Sequence, residues 1–324
     1  MFDALTISHF RAFGQLEVAP LHRVNLIAGG NNVGKTSLLE AVWFASQKDP
    51  LAASASSLFR RSAFDYSRES QTPKDDTDNF WKWLFFQKDT SKPISFNLSS
   101  VASPESNRTL EFALINNRLA ANDSGNSRDK ISPPPPVCTT LSAFLQSPVA
   151  DGERVNNVAL LDQERKLAGY LQMIDPRIVN LKYLKLPGHK YPYVYVDVGF
   201  GQGKELIPAT QLGQGTARML GLFASLMTEG TQILLIDEFE NGLQHDALVP
   251  VWSALGKIAR DLDIQIFATT HSYECIAAAH EAFAENAEDF AVIKLRPDPA
   301  LGIAAFVLDH AHVDVALETE MEIR

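Results

Sequence analysis

Apolar positions repeat most regularly toward the C-terminal end of the chain, where helical spacing alternates with short unbroken apolar runs. Leu220, Phe223, Leu226 and Met227 fall on one side of a helix expected from about Gly215 to near Gly230. Residues 233–236 are continuously apolar, the mark of a parallel strand covered on both faces. Leu248, Val251, Trp252, Leu255, Ile258 and Leu262 predict an amphipathic helix, followed by a strand over 264–269 and a helix over 273–283. Strands over 291–295 and 303–308 then close the sheet, before a short helix around 313–317.

The N-terminal pattern is different. Alternation at 5–7 and 16–18 predicts a half-exposed antiparallel pair with its corner at 10–14, leading into a buried strand over 24–28. A helix follows to about Gln47, where Pro50 cannot continue the hydrogen-bond ladder. From 51 to 136 the periodicity fades into a polar insertion, expected to be partly flexible. It is broken by an aromatic segment at 80–86 and by alternating stretches at 94–98 and 110–115 that suggest a hairpin. Residues 122–130 have no apolar face and read as a mobile loop, and Pro133, Pro134, Pro135 and Pro136 as a stiff spacer. Val155, Val158, Leu161, Leu167, Tyr170, Leu171 and Ile174 place a helical arm at 152–173, ended by Asp175-Pro176. Strands are expected over 179–186, 191–198 and 204–207. The class is α/β: a mixed sheet with an antiparallel β subdomain and a helical arm.

Composition narrows this picture only a little. At 324 residues the chain can bury one large core or two modest ones, and 45% hydrophobic with 21% charged residues is ordinary for a globular protein. No apolar run reaches the length of a membrane span, the N-terminus opens directly into a strand pattern, and no membrane association is expected. Cys138 and Cys275 lack metal-ligand spacing, which points to a reducing cytoplasm. A formal charge of −10 argues against a general polyanion-coating surface, while leaving room for a local basic groove or a basic partner protein.

The chemistry concentrates at the end of the third predicted strand. Gly29-Gly30-Asn31-Asn32-Val33-Gly34-Lys35-Thr36-Ser37 holds the G-x-x-x-x-G-K-T pattern of a phosphate-binding loop. Its glycines let backbone N–H groups turn around a phosphate, Lys35 supplies charge to the β- and γ-phosphates, and Thr36 offers a hydroxyl to Mg²⁺. A glycine-rich turn matching by accident would lack the strand before it and the helix after it. Downstream, the run 233–236 ends in Asp237-Glu238, the Walker B arrangement, which assigns Asp237 to Mg²⁺ and Glu238 to polarising the attacking water. An acidic pair merely ending a strand is the plainer alternative. Thr270-His271-Ser272 ends the neighbouring strand, so that His271 can reach a γ-phosphate; taken alone it would be an ordinary strand-end residue. Gln211-Leu212-Gly213-Gln214-Gly215-Thr216-Ala217-Arg218 forms a glycine-containing turn opening a helix, a second anion-binding helix N-terminus.

Together, the phosphate loop, the turn at 211–218, Leu234-Leu235-Ile236-Asp237-Glu238-Phe239-Glu240-Asn241-Gly242-Leu243 and Phe267-Ala268-Thr269-Thr270-His271-Ser272 resemble the heads of ABC-class ATPases. More narrowly they resemble the small bacterial OLD/RecF-like branch labelled AAA family ATPase, related to SMC heads. The opening Ile7-x-x-Phe10-Arg11-x-Phe13 and the closing residues 320–324 are similar to that branch too. The likeness spans both ends of the chain but not 51–136. It implies a single ATPase domain over 1–324, with an N-lobe at 1–50, the insertion at 51–136, the arm and β segment at 137–210 and a C-lobe at 211–324. It further implies ATP and Mg²⁺ as cofactors and a homodimer in the ATP state. Gly29, Gly30, Asn31, Asn32, Val33, Gly34, Lys35, Thr36 and Ser37 would bind phosphate in one copy; Gly213, Gln214, Gly215 and Thr216 would cap it from the other. Lys35, Glu238 and His271 would be catalytic, Thr36 and Asp237 would hold the metal, and the loop from Glu240 to Leu243 would link the two sites.

Two departures matter. Where ABC transporters have Leu-Ser-Gly-Gly this chain has Leu212-Gly213-Gln214-Gly215, so the serine hydroxyl is missing and Thr216 or backbone N–H groups must serve. Gln87 is a candidate for the family's Q-loop glutamine, but it reads more simply as a polar residue ending an aromatic helix. There is no room for a long coiled-coil arm and no acidic cluster of a TOPRIM nuclease, so the resemblance implies a separate effector protein of nuclease type, in phage defence or DNA repair, with DNA as a further partner. The alternative is a sensor in which ATP occupancy sets assembly and turnover is small, regulating a separate nuclease or toxin. A transporter ATPase fits the polar insertion poorly, and a small-molecule phosphotransferase would need neither the 211–218 turn nor His271.

Overall fold

The computed structural model describes residues 1–46, 81–115, 118–123, 137–141, 148–188, 191–200 and 203–319. The expected polar loop at 122–130 falls mostly outside these residues, and the proline spacer, Pro50 and residues 320–324 do so entirely.

A six-stranded sheet runs through the middle of the molecule in the order β14-β13-β3-β12-β11-β7. Its strands are β3 (Val24–Ala28), β7 (Cys138–Leu141), β11 (Ile233–Ile236), β12 (Gln265–Thr269), β13 (Phe290–Asp298) and β14 (Gly302–Asp309). All neighbours pair in parallel except β13 and β14, which form an antiparallel hairpin at the edge. The continuous apolar runs follow from the pleat: alternate residues feed two different cores. Val24, Leu26, Leu234, Ile236, Ile266 and Ala268 enter one core. Ile27, Ile233, Leu235, Phe267, Ile293 and Leu295 enter the other.

The second of these cores is closed by α1 (Lys35–Ser46) and by a five-stranded antiparallel sheet. That sheet has the order β2-β1-β4-β5-β6, from β1 (Ala4–Phe10), β2 (Phe13–Val18), β4 (Ile94–Ser99), β5 (Arg108–Ile115) and β6 (Arg118–Asp123). The expected hairpin over 94–115 is present, but it is not a separate unit, because β4 pairs with β1 along Ala4–Ser8. Phe10, Phe44, Phe96 and Phe112 pack edge-on and stacked between sheet and helix. α1 is buried nearly all round, which explains why its apolar pattern is less one-sided than that of a surface helix. The aromatic segment forms 3₁₀ turns over Trp81–Leu84 and Phe86–Lys88, and Gln87 sits there exposed with φ 51°.

The other core holds α2 (Pro148–Leu160), α3 (Glu164–Gln172), α4 (Gln214–Thr228), α5 (Leu248–Leu262) and α6 (Tyr273–Ala282). It also holds a three-stranded antiparallel sheet, β10-β9-β8, from β8 (Ile178–Leu184), β9 (Tyr193–Phe200) and β10 (Gly203–Pro208). The expected continuous arm at 152–173 is two helices: the chain turns at Leu161–Gln163, with Asp162 at φ 56°, and Leu161 is exposed rather than part of the apolar face. The C-terminal α7 (His310–Glu318) starts three residues earlier than its periodicity suggests, because the Asp309 carboxylate caps the His312 N–H. β7 had no sequence signal; at four residues, with two threonines, it is too short to show alternation.

Trp252, fully buried on α5, stacks on Phe239 with ring centroids 3.7 Å apart, directly behind Glu238. Replacing Trp252 with alanine is expected to destabilise the fold by about 3–5 kcal/mol. Urea unfolding followed by circular dichroism checks this; a loss below about 1 kcal/mol would mean the stack contributes little.

Candidate functional site

The site forms at the C-terminal ends of β3, β11 and β12, where three adjacent parallel strands release their chains. Such strand ends are where open α/β sheets bind ligands. After β3 the backbone turns through Gly29 at φ 149°, Asn32 at φ 63° and Gly34 at φ 87° before entering α1. A β-carbon at Gly29 would lie 2.7 Å from Val33 Cγ2 and 2.9 Å from the Leu295 carbonyl oxygen, so conformation and space both demand glycine there. At Gly34 it would lie 3.1 Å from the Phe13 ring. Asn31 and Asn32 are exposed on the loop, while Val33 and Ser37 are buried beneath it. The Arg11 guanidinium pairs with the Glu40 carboxylate (Nε–Oε2 2.7 Å, Nη2–Oε1 3.3 Å), tying the β1–β2 corner to α1.

Lys35 is 5% exposed, and its ammonium donates to the carbonyl oxygens of Gly29 and Gly30, both at 2.7 Å, and to His271 Nδ1 at 3.1 Å. An ammonium has three protons and all three are engaged, so His271 accepts at Nδ1 and carries its own proton on Nε2. Burial lowers the Lys35 pKa from its ordinary value, against the raising fields of Glu240, Asp237 and Glu238.

Thr269, the last residue of β12, organises the acidic side. Its hydroxyl donates to Asp237 Oδ1 at 2.7 Å and accepts from the Glu238 N–H at 2.8 Å. The Thr269 carbonyl accepts from the Phe239 N–H at 2.9 Å. These bonds hold Glu238 at φ 51°, a conformation that costs a non-glycine residue about 1–2 kcal/mol. Thr36 Oγ1 donates to the same Asp237 oxygen at 3.3 Å. The pair of hard oxygen donors fits a Mg²⁺ ion, which prefers few protein ligands beside phosphate oxygens. Glu240 Oε1 accepts the His271 N–H at 2.8 Å, so the loops after β11 and β12 are bonded to each other.

Lys35, Thr36, Asp237, Glu238 and His271, far apart in sequence, thus come together. Gly213, Gly215 and Thr216 do not join them. The N-terminus of α4 lies against the loop after Glu238, where a β-carbon on Gly215 would meet Leu243 Cδ2 at 2.9 Å, and Gly213 is exposed. Among the described residues no hydrogen bond links 213–216 to the phosphate loop. The role of Thr269 had no sequence signal beyond its position at a strand end.

A phosphate loop, an acidic strand end and a histidine on adjacent parallel strands, with a glycine turn displaced from them, have the layout of a P-loop nucleotide-binding head of the ABC-like fold. The chain belongs to the family described as "AAA domain, putative AbiEii toxin, Type IV TA system", whose model matches residues 24–277. It is 22% identical over 343 residues to an ATP/GTP phosphatase of Helicobacter pylori, covering 90% of each chain. A shorter stretch of 41 residues is 46% identical to the DNA replication and repair protein RecF of Idiomarina loihiensis, over 13% of this chain and 12% of that one. In fold it is similar to the SMC head domain from Thermotoga maritima, with TM-score 0.54 at 11% identity over 95% and 98% of the two chains. An SMC head bound to the C-terminal winged-helix domain of ScpA gives TM-score 0.59 at 13% identity over 99% of each. Among the described residues no helix is long and apolar enough to cross a membrane.

Thr269→Val keeps the shape of the buried side chain but removes one donor and one acceptor. The expected loss is about 1–3 kcal/mol of folding stability, read by urea unfolding. A neutral result would mean that the strand-tip bonds are replaced by water.

Proposed function

We propose that the chain hydrolyses ATP to ADP and phosphate as a head-to-tail dimer around two Mg-ATP. The observation that carries this reading is the meeting of Thr36 and Asp237 at 3.3 Å beside a fully engaged Lys35, with the Glu238 carboxylate next along the chain. Backbone N–H groups of 29–37 would hold the phosphates, and Lys35 would exchange a carbonyl for a γ-phosphate oxygen. Thr36 and Asp237 would hold Mg²⁺, which supplies charge neutralisation on the phosphates. Glu238, exposed at the strand end, would take a proton from the attacking water. His271, with its proton on Nε2, would donate to the γ-phosphate.

The dimer is inferred from what the single chain leaves apart. Gly213, Gln214, Gly215 and Thr216 offer a helix N-terminus away from their own phosphate loop, so a second copy is the simplest source of the missing cap. The relatives suggest two directions for the output: RecF is named for DNA replication and repair, and the SMC head structure holds a partner protein. We read the chain as one ATPase unit whose opening and closing acts on DNA or on a separate effector. A sensor with little turnover is the second reading. It is favoured by exposed Gly213, which offers the partner nucleotide no hydroxyl.

Turnover and oligomeric state, measured for wild type and Glu238→Gln with and without ATP and DNA, test this. The variant is expected to lose about 10²–10³ in kcat and to accumulate as an ATP-dependent dimer. A monomer under every condition would overturn the composite site; unchanged turnover would overturn the role of Glu238. Wild-type turnover near zero with intact ATP-dependent dimerisation would favour the sensor.

A further inference from the structure

We propose that Arg218 is a positioning residue for Glu238, acting through Asn241 of the same chain. The proposal rests on the reading of Glu238 as general base. The Arg218 guanidinium lies on the second turn of α4 and donates through Nη1 to the Asn241 carbonyl oxygen. The Asn241 side-chain amide donates through Nδ2 to Glu238 Oε2, and its backbone N–H donates to the Glu238 carbonyl at 3.0 Å. Gly215, one turn earlier, is packed against Leu243 and Gly242 of the same loop. The α4 N-terminus and residues 238–243 therefore form one bonded body, and any displacement of the helix end reaches the Glu238 carboxylate.

The rest of the guanidinium indicates why the residue is an arginine. It is 8% exposed, and Nε and Nη2 are shielded from solvent without a hydrogen-bond partner among the described residues. Burial lowers its pKa, and among the described residues no carboxylate offsets that effect. A buried cation with one partner opposes folding, so packing alone would be served as well by an apolar side chain of similar length. What an apolar side chain cannot supply is the donor that fixes Asn241. An arginine kept at a loss to stability is expected where the orientation of a reacting group depends on it.

The test uses the full chain, with steady-state ATP turnover, equilibrium binding of a fluorescent ATP analogue and thermal melting. Arg218→Met is expected to melt at or above the wild-type temperature and to bind nucleotide normally. It should lower kcat about tenfold or more, with KM changed less than about twofold. Arg218→Lys, which restores a donor, should recover part of kcat. Asn241→Ala, at an exposed position, should reproduce the loss and carries the test if Arg218→Met does not fold. In a Glu238→Gln background, Arg218→Met should have no further effect. If Glu238→Gln abolishes turnover while Arg218→Met and Asn241→Ala leave kcat unchanged, this proposal alone falls. A fully additive double variant would overturn it as well. If Glu238→Gln leaves turnover unchanged, the general-base reading falls and takes the proposal with it.

Discussion

The close fit of backbone around Gly29 is the constraint on which the rest of the molecule depends. There is no space for a β-carbon between Val33 and the Leu295 carbonyl, and the φ of 149° admits little but glycine. That contact fixes the phosphate loop against β13. Gly34, pressed on Phe13, fixes its other end against the N-terminal sheet. The loop is thus clamped between the central sheet and the five-stranded sheet, and α1 leaves it in a single direction. Both cores contribute, because the two faces of β3 belong to different ones.

Around this clamp the charged groups are held, among the described residues, by backbone groups and neutral side chains rather than by ion pairs. Lys35 is held by two carbonyls and a histidine, and its acidic neighbours act on it through space. Asp237 and Glu238 are held by Thr269, whose hydroxyl serves one as donor and the other as acceptor. Glu240 ties His271 to the same loop. Groups so held have, among the described residues, no salt bridge to break before a neutral partner is exchanged.

Legibility of the sequence followed the range of the forces involved. Strands and helices of the C-terminal third read directly from residues such as Ile233–Ile236 and Leu248–Leu262, because burial on two faces or on one stripe leaves a periodic trace. The phosphate loop was equally plain, since its glycines answer a local backbone demand. The break at Leu161–Gln163 was not, because the apolar spacing runs through it and only the left-handed Asp162 marks the turn. Nor was the union of β4 with β1, which depends on pairing between distant segments. The spatial meeting of Lys35, Thr36, Asp237, Glu238 and His271 was legible as motif order. The bonds made by Thr269, Glu240 and Arg218 were not.

By itself, then, the sequence determined the α/β class, most of its elements and the residue types gathered at three strand ends, because each answers a local rule of periodicity, backbone conformation or charge. Only the tertiary structure decided which atoms meet. Thr269 serves both acidic residues, His271 Nδ1 accepts the third N–H of Lys35, and the α4 N-terminus packs on the loop of Glu238 instead of on its own phosphate loop. Those choices depend on strand order and on close packing between distant segments, and no short-range pattern along the chain encodes either.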